Sequence, residues 1–240
     1  MIPYIIINNV CSKTINGLLI QSLPPISKPK IRTSKEEIDG RDGDIITTLG
    51  YSAYDKNVEI GLKGDYNVDD VISYFDTEGI ITFSNELDKY YNFKVYDTID
   101  FERLIRFKTA SVKFHIQPFK YDADEVEKSL DYDGTYTSDV INVRNLGNVY
   151  SKPILTITGR GEITVRLNNV LILTITLNSL NNQTVIIDTE NMNAYDLQGN
   201  YLNRIVNGDY SNLKLNVGIN RLAIQGQLNQ VKINKVSRWI

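Results

Sequence analysis

The chain is poor in the residues that most site chemistry needs. Among 240 residues it has one cysteine, Cys11, one histidine, His115, one tryptophan, Trp239, and two methionines. A single cysteine excludes an internal disulfide and fits folding in a reducing compartment. One Cys and one His exclude the usual four-ligand structural zinc site. No Gly-x-Ser-x-Gly elbow, no His-Glu-x-x-His pair and no phosphate loop occurs. Positive charge is not in excess either: 26 Lys and Arg stand against 29 Asp and Glu, a formal net charge of -3. That balance argues against a nucleic-acid-binding surface as the main business. Long hydrophobic runs are missing, and no stretch approaches the roughly 20 apolar residues of a membrane span. The apolar start, Tyr4 to Ile7, ends at Asn8-Asn9, too short for a secretory core and better read as a buried first strand.

What is present is sheet-forming. Fifteen tyrosines accompany many β-branched residues, a composition that suits pleated, half-buried surfaces. Ala110 to Gln117 alternates strictly, with Ala110, Val112, Phe114 and Ile116 on one face and Ser111, Lys113, His115 and Gln117 on the other. Period two marks a half-buried strand. His115 falls on the polar face, where a lone imidazole reads as a surface residue. Pro118 is expected to break the ladder, because it has no N–H to donate, with Phe119 and Tyr121 taking up the opposite phase. The acidic run Asp122 to Glu127 reads as a solvated connector, and it divides the chain into residues 1–131 and 132–240.

Before the connector, strands are expected at Tyr4–Ile7, Gly17–Ile20, Lys30–Ile38, Ile45–Leu49, Val58–Leu62, Ile80–Phe83 and Tyr90–Tyr96. The three prolines of Leu23 to Pro29 predict an extended arm. Asp39 to Asp44 is a glycine-bearing, sharply turned loop. One helix is expected from Val71 to Phe75, preceded by capping acids and ended by Gly79. After the connector the texture is purely β. Thr135–Val143, Pro153–Thr158, Glu162–Leu167, Val170–Leu177, Gln183–Asp188, Arg221–Gln225 and Val231–Val236 read as separate strands. Asn168-Asn169 reads as a two-residue hairpin turn. Short strands at this spacing mean a sandwich or jelly roll.

Two acidic groups bear on metal binding. Asp39, Asp42 and Asp44 share a glycine loop that can in principle hold calcium. Asp131-Tyr132-Asp133-Gly134 begins like an EF-hand loop, but its glycine comes two positions too early. Both read as turn chemistry, so no metal and no cofactor is expected. A glycosidase carboxylate pair comes from distant strands and has no local signature, and nothing present supports one. The chain is therefore read as a non-enzyme.

Several segments in order resemble one family, the distal tail (Dit) proteins of long-tailed siphophages. They are Asn16-Gly17-Leu18-Leu19-Ile20, the proline arm, Gly40-Arg41-Asp42-Gly43, Thr82 to Tyr91, Phe114 to Tyr121, Asn148 to Ile154, Ile186 to Glu190 and Arg238-Trp239. The resemblance covers nearly the whole chain. It departs at Asn216-Val217-Gly218-Ile219-Asn220, where the family often has Pro-Gly.

The resemblance implies a mainly β protein with two parts. The N-terminal part, residues 1–131, is a β-sandwich-like ring-forming domain with an extended arm and one short helix. The C-terminal part, residues 132–240, is a galectin-like or carbohydrate-module-like β-sandwich. It implies a virion protein at the distal end of a phage tail, made in the host cytoplasm. There a hexameric ring would join the tail tube protein to the tape measure, tail-tip and receptor-binding proteins. DNA would pass through its channel without specific binding, and no membrane is involved. Gly40, Arg41, Asp42 and Gly43 are the expected ring-interface residues. The alternative is a carbohydrate-binding module acting directly in adhesion to the host surface, with Tyr195, Tyr201 and Tyr210 as its aromatic platform. A shared fold alone does not license lectin activity.

Overall fold

Period-two alternation carries through into strands along most of the chain. The computed structural model describes residues 2–125 and 127–240; Met1, and Val126 within the expected connector, lie outside them. The chain divides into two compact units, one ending at Ala123 and the other beginning at Asp124.

The first unit contains β1 (Ile5–Ile7), β2 (Val10–Cys11), β3 (Leu18–Ser22), β4 (Ile31–Glu37), β5 (Asp44–Tyr51) and β6 (Tyr54–Leu62). These are followed by α1 (Val68–Phe75), β7 (Glu78–Phe83), β8 (Lys89–Lys94), α2 (Phe101–Phe107) and β9 (Thr109–Asp122). Its main sheet is antiparallel in the order β2-β1-β7-β8-β9-β6-β3. The expected inward face of β9 is buried as read: Val112, Phe114 and Ile116 are fully buried. Phe114 sits at the centre of an aromatic cluster with Phe75, Phe83 and Phe93.

Pro118 does not end that strand. β9 runs on to Asp122, because Pro118 lies past Ile116, the last residue paired to β6, and beside a register shift against β8 between Tyr91 and Phe93. No ladder N–H is demanded there, which is where a sheet tolerates proline. The phase does flip, and Phe119 and Tyr121 are buried.

Helix α1 is capped by Asn67, whose side chain accepts from the Asp69 N–H at 3.0 Å. It buries Val71, Tyr74 and Phe75 and ends at Phe75, so Gly79 belongs to β7 and is not its stop. A second helix, α2, stands where only a lead-in to β9 was expected. Asp100 caps it by accepting from the Arg103 N–H at 2.8 Å, and Lys108 closes it in the left-handed region. Only Leu104 of its residues is buried, which leaves a weak periodic signal.

The second unit contains β10 (Lys128–Asp131), β11 (Tyr136–Thr137), β12 (Val140–Asn145), β13 (Ile154–Leu167) and β14 (Val170–Thr176). It continues with β15 (Gln183–Asp188), β16 (Asn193–Tyr195), β17 (Val206–Gly208), β18 (Gly218–Asn234) and β19 (Arg238–Trp239). It encloses its own core, including Leu155, Ile157, Val165, Ile175, Ile187, Leu222 and Val231. Sheet resumes directly after the expected connector: Lys128–Asp131 pairs with Gln230–Ile233.

β13 and β18 are each one long strand where two short ones were expected, and they pair with each other along most of their length. Gly159 and Gly226 lie at kinks at which the two backbones nearly touch. A Cβ on Gly159 would lie 2.4 Å from the Gln227 carbonyl oxygen, and one on Gly226 would lie 2.8 Å from that of Glu162. Glycine inside a strand marks such close approaches. Asn168 and Asn169, at φ 51° and 70°, form the two-residue turn between β13 and β14, matching the expectation.

Candidate functional site

The proline arm crosses the first unit as an extended strap. Lys56 Nζ donates to the Pro25 carbonyl at 2.7 Å, Asn85 Nδ2 to that of Pro24 at 3.1 Å, and the Tyr54 hydroxyl to that of Ser27 at 3.4 Å. Proline carbonyls keep their acceptor capacity when the N–H is gone, so side-chain donors fasten a segment that cannot join a ladder. Lys56 is only 3% exposed. Burial pushes its ammonium down to about 8, partly offset by Glu86 and reinforced by Lys120. Glu86 pairs with Lys120 at 2.5 Å and accepts from the Tyr91 hydroxyl at 2.6 Å. Burial and this carboxylate drive the Tyr91 phenol upward, and burial foremost raises that of Tyr54.

From the strap the chain enters β4 and β5, which pair with each other in a separate two-stranded sheet, from Ile31↔Tyr51 to Glu37↔Asp44. At about 3.3 Å per residue, seven residues of β4 extend for roughly 23 Å. Gly40 to Gly43 form the tip. Gly40 and Gly43 take φ of 83° and 79°, and open space surrounds both. The Arg41 N–H donates to the Ile38 carbonyl at 3.1 Å. Among the described residues, the Arg41 and Asp42 side chains have no hydrogen-bond or ion-pair partner. The four expected interface residues thus stand together at one exposed turn. Below them Ile38, Ile46 and Leu49 are 50%, 58% and 59% exposed. A lone two-stranded ribbon is marginal in water, and this one carries apolar side chains that nothing in the unit covers.

The acidic residues of the tip do not gather. Asp44 pairs with Lys35 at 3.2 Å, and among the described residues no three His, Cys, Asp or Glu side chains converge as metal ligands. Asp133 accepts from the Thr135 N–H at 2.9 Å and its hydroxyl at 2.6 Å, the chemistry of a turn. His115 Nδ1 lies 2.8 Å from Asp55 Oδ1, and its ring tilts against Tyr96. No described helix is long and apolar enough to cross a membrane.

In the second unit three sequence blocks meet at Arg238. This side chain is fully buried. Its Nε donates to the Tyr150 carbonyl, its Nη1 donates to Glu190 Oε2 at 2.7 Å, and its guanidinium lies 4.6 Å from the centre of the Tyr150 ring. Lys152 approaches Glu190 at 3.8 Å. The backbone of Arg238 passes so close to Gly147 that a Cβ there would lie 1.8 Å from its carbonyl oxygen.

The three tyrosines singled out from the sequence separate. Tyr195 and Tyr201 are bridged partners across a turn and line one open cleft. Tyr210 packs on the core edge, its hydroxyl 3.5 Å from Asn203 Oδ1, and takes no part. The cleft's other polar residues, Asp188, Asn191 and Asn193, escaped the sequence reading. Their signal is the Asn-rich stretch around Tyr195.

No protein-family model matches the chain, and no curated protein does. Among solved structures it is similar to the SPP1 Dit (gp 19.1) protein, a paradigm of the hub adsorption apparatus in Gram-positive infecting phages. The TM-score is 0.62 at 18% identity, over 100% of both chains. It is also similar to a chain of the phage p2 baseplate in its activated conformation. With Sr the TM-score is 0.53 at 11% identity over 98% of each chain; with Ca it is 0.50 at 10% identity over 100% of this chain and 99% of that one. The chain therefore has the fold of phage distal tail and baseplate hub proteins along its whole length.

Proposed function

We propose that the chain is a structural virion protein, the distal tail hub of a siphophage. In this reading six copies form a ring that joins the tail tube to the tail-tip and baseplate apparatus and lets DNA pass. Its neighbours would be the tail tube, tape measure, tail-tip and receptor-binding proteins. The observation that carries the reading is the end-to-end likeness to the SPP1 hub protein, with both chains covered completely. The β4–β5 ribbon supports self-assembly. Both its edges offer unpaired backbone groups, its apolar residues lack a cover, and Arg41 offers a guanidinium fork suited to a carboxylate on the next copy. A formal net charge of -3 suits a channel that must not retain DNA. The solved structures it resembles are a hub protein and baseplate chains, which supports a structural role over a catalytic one. Electron microscopy of the purified full-length protein tests the reading. Six-fold rings are the expected particles, and a uniformly monomeric preparation at micromolar concentration would refute it.

A further inference from the structure

The cleft of the second unit has the chemistry of a ligand site. Ile186, Tyr195 and Tyr201 lie in one cross-strand row, and Asp188 and Asn193 are opposed two rows on, on the same face. Opposed residues of an antiparallel pair project to the same face with Cβ atoms about 4.5–5.5 Å apart. The two phenol rings and the two polar groups therefore share one face, while Ile187 and Ala194 point into the core. The space between them is about 530 Å³, within the roughly 300–1,000 Å³ of small-ligand sites.

The face is held in place before any ligand arrives. Asp196 Oδ1 accepts from the N–H groups of Gln198 at 2.9 Å and Asn200 at 2.8 Å, and its Oδ2 accepts from Asn200 Nδ2 at 2.8 Å. These bonds fix the turn from Tyr195 to Tyr201. Asp188 Oδ1 accepts from the Asn191 N–H at 3.0 Å and its Oδ2 from Asn191 Nδ2 at 2.9 Å. A carboxylate has about four lone-pair positions, so half of this one's acceptor capacity is uncommitted by these bonds. Asn193 Oδ1 accepts from Asn203 Nδ2 at 3.0 Å. Its own amide N–H groups have no protein acceptor among the described residues. Tyr201 is 74% exposed at the rim, an aromatic face with no structural duty.

We propose that this cleft binds a neutral saccharide. A pyranose has an apolar C–H face to lie on a phenol ring. It also has adjacent hydroxyls that can donate to Asp188 and accept from Asn193. The Asp188 carboxylate and the absence of Lys or Arg from the lining disfavour phosphate- or uronate-bearing polymers. The site belongs to the second unit alone and does not depend on the chain forming a ring.

Saturation-transfer NMR on the full-length protein tests it, with methyl α-glucopyranoside, methyl β-galactopyranoside and N-acetylglucosamine as probes and glycerol 3-phosphate as the anionic comparator. At least one pyranoside should receive transfer, strongest on the protons of one ring face. Tyr201→Ala and Asn193→Ala should each weaken it by about tenfold, and Tyr210→Phe should leave it unchanged. Tyr201 is exposed and Asn193 is at the sheet edge, and circular dichroism of each variant confirms that it is folded. No transfer to any pyranoside overturns the proposal. So does transfer that survives Tyr201→Ala, or a stronger response to glycerol 3-phosphate.

Discussion

Arg238 Nη1 donates to Glu190 Oε2 at 2.7 Å, so the penultimate strand position of the chain is tied to the residue two beyond β15. The arginine is wholly buried while the glutamate is about 40% exposed. The guanidinium thus depends on directed partners, whereas the carboxylate can turn to water.

The first prediction follows from that asymmetry. Arg238→Ala should destabilise the protein by about 3–5 kcal/mol, the range for breaking a buried charged network. Arg238→Lys should rescue little, because one ammonium cannot reproduce two differently directed bonds and a ring stack. Glu190→Gln should cost less, about 1–3 kcal/mol, because the amide oxygen can still accept from Nη1 but the buried guanidinium loses its counter-charge. Urea unfolding of the three variants measures this, and a lysine variant as stable as the parent would contradict it.

These residues also show what the sequence makes legible. Asn148 to Ile154, Ile186 to Glu190 and Arg238-Trp239 stand out as separate blocks. Their meeting at one buried guanidinium depends on how β13, β15 and β18 are ordered in the sheet, which no local pattern encodes. Alternation correctly marks the inward face of β9. It cannot tell a glycine that ends a strand from one that lets two strands touch, so Gly159 and Gly226 conceal the length of β13 and β18. Pro118 misleads because its missing N–H matters only where a neighbour needs it. The hairpin tip, Gly40 to Gly43, is visible as a loop; that β4 and β5 have no third strand is a tertiary fact. Asp188 and Asn193 join the tyrosine face only through cross-strand register.

The second prediction concerns pH. The folded-state pKa of Lys56 falls from 10.5 to about 8, so between those values the unfolded chain binds more protons and stability rises with pH. The burial penalty is complete below pH 8 and amounts to on the order of 3 kcal/mol. Tyr54 and Tyr91, shifted upward, act in the opposite sense above their ordinary pKa of 10, which limits the rise to about pH 8–10. Urea midpoints of the parent should climb across that window relative to those of Lys56→Met. Parallel curves for the two proteins would rule out Lys56 as the titrating group.

The third prediction addresses the ribbon. Arg41→Glu and Leu49→Asp alter exposed positions of β5 and its tip, so both variants should fold like the parent. Each should weaken self-association by about tenfold or more if these residues lie at a subunit contact. Light scattering across a dilution series gives the mass. Unchanged masses for both variants would mean that the ribbon serves another contact.

The last prediction separates the two units. Asp124–Trp239 closes its own core around Leu155, Ile157 and Val231. Arg238 finds Tyr150 and Glu190 within the same unit, and β10 completes an edge of its sheet. A fragment starting at Asp124 keeps β10, whereas one starting at Tyr132 removes a strand paired along Gln230–Ile233. The longer fragment should therefore be the more stable, by about 1–3 kcal/mol for the loss of β10's ladder bonds and of the half-buried Leu130. Both should sediment as monomers, because the projecting ribbon, the strap and the exposed Arg41 belong to the first unit. The fragment ending at Ala123 retains all three, together with its own aromatic core around Phe114, and should sediment as an oligomer. Analytical ultracentrifugation of the fragments decides it: an oligomeric C-terminal fragment beside a monomeric N-terminal one would move the assembly surface to the second unit.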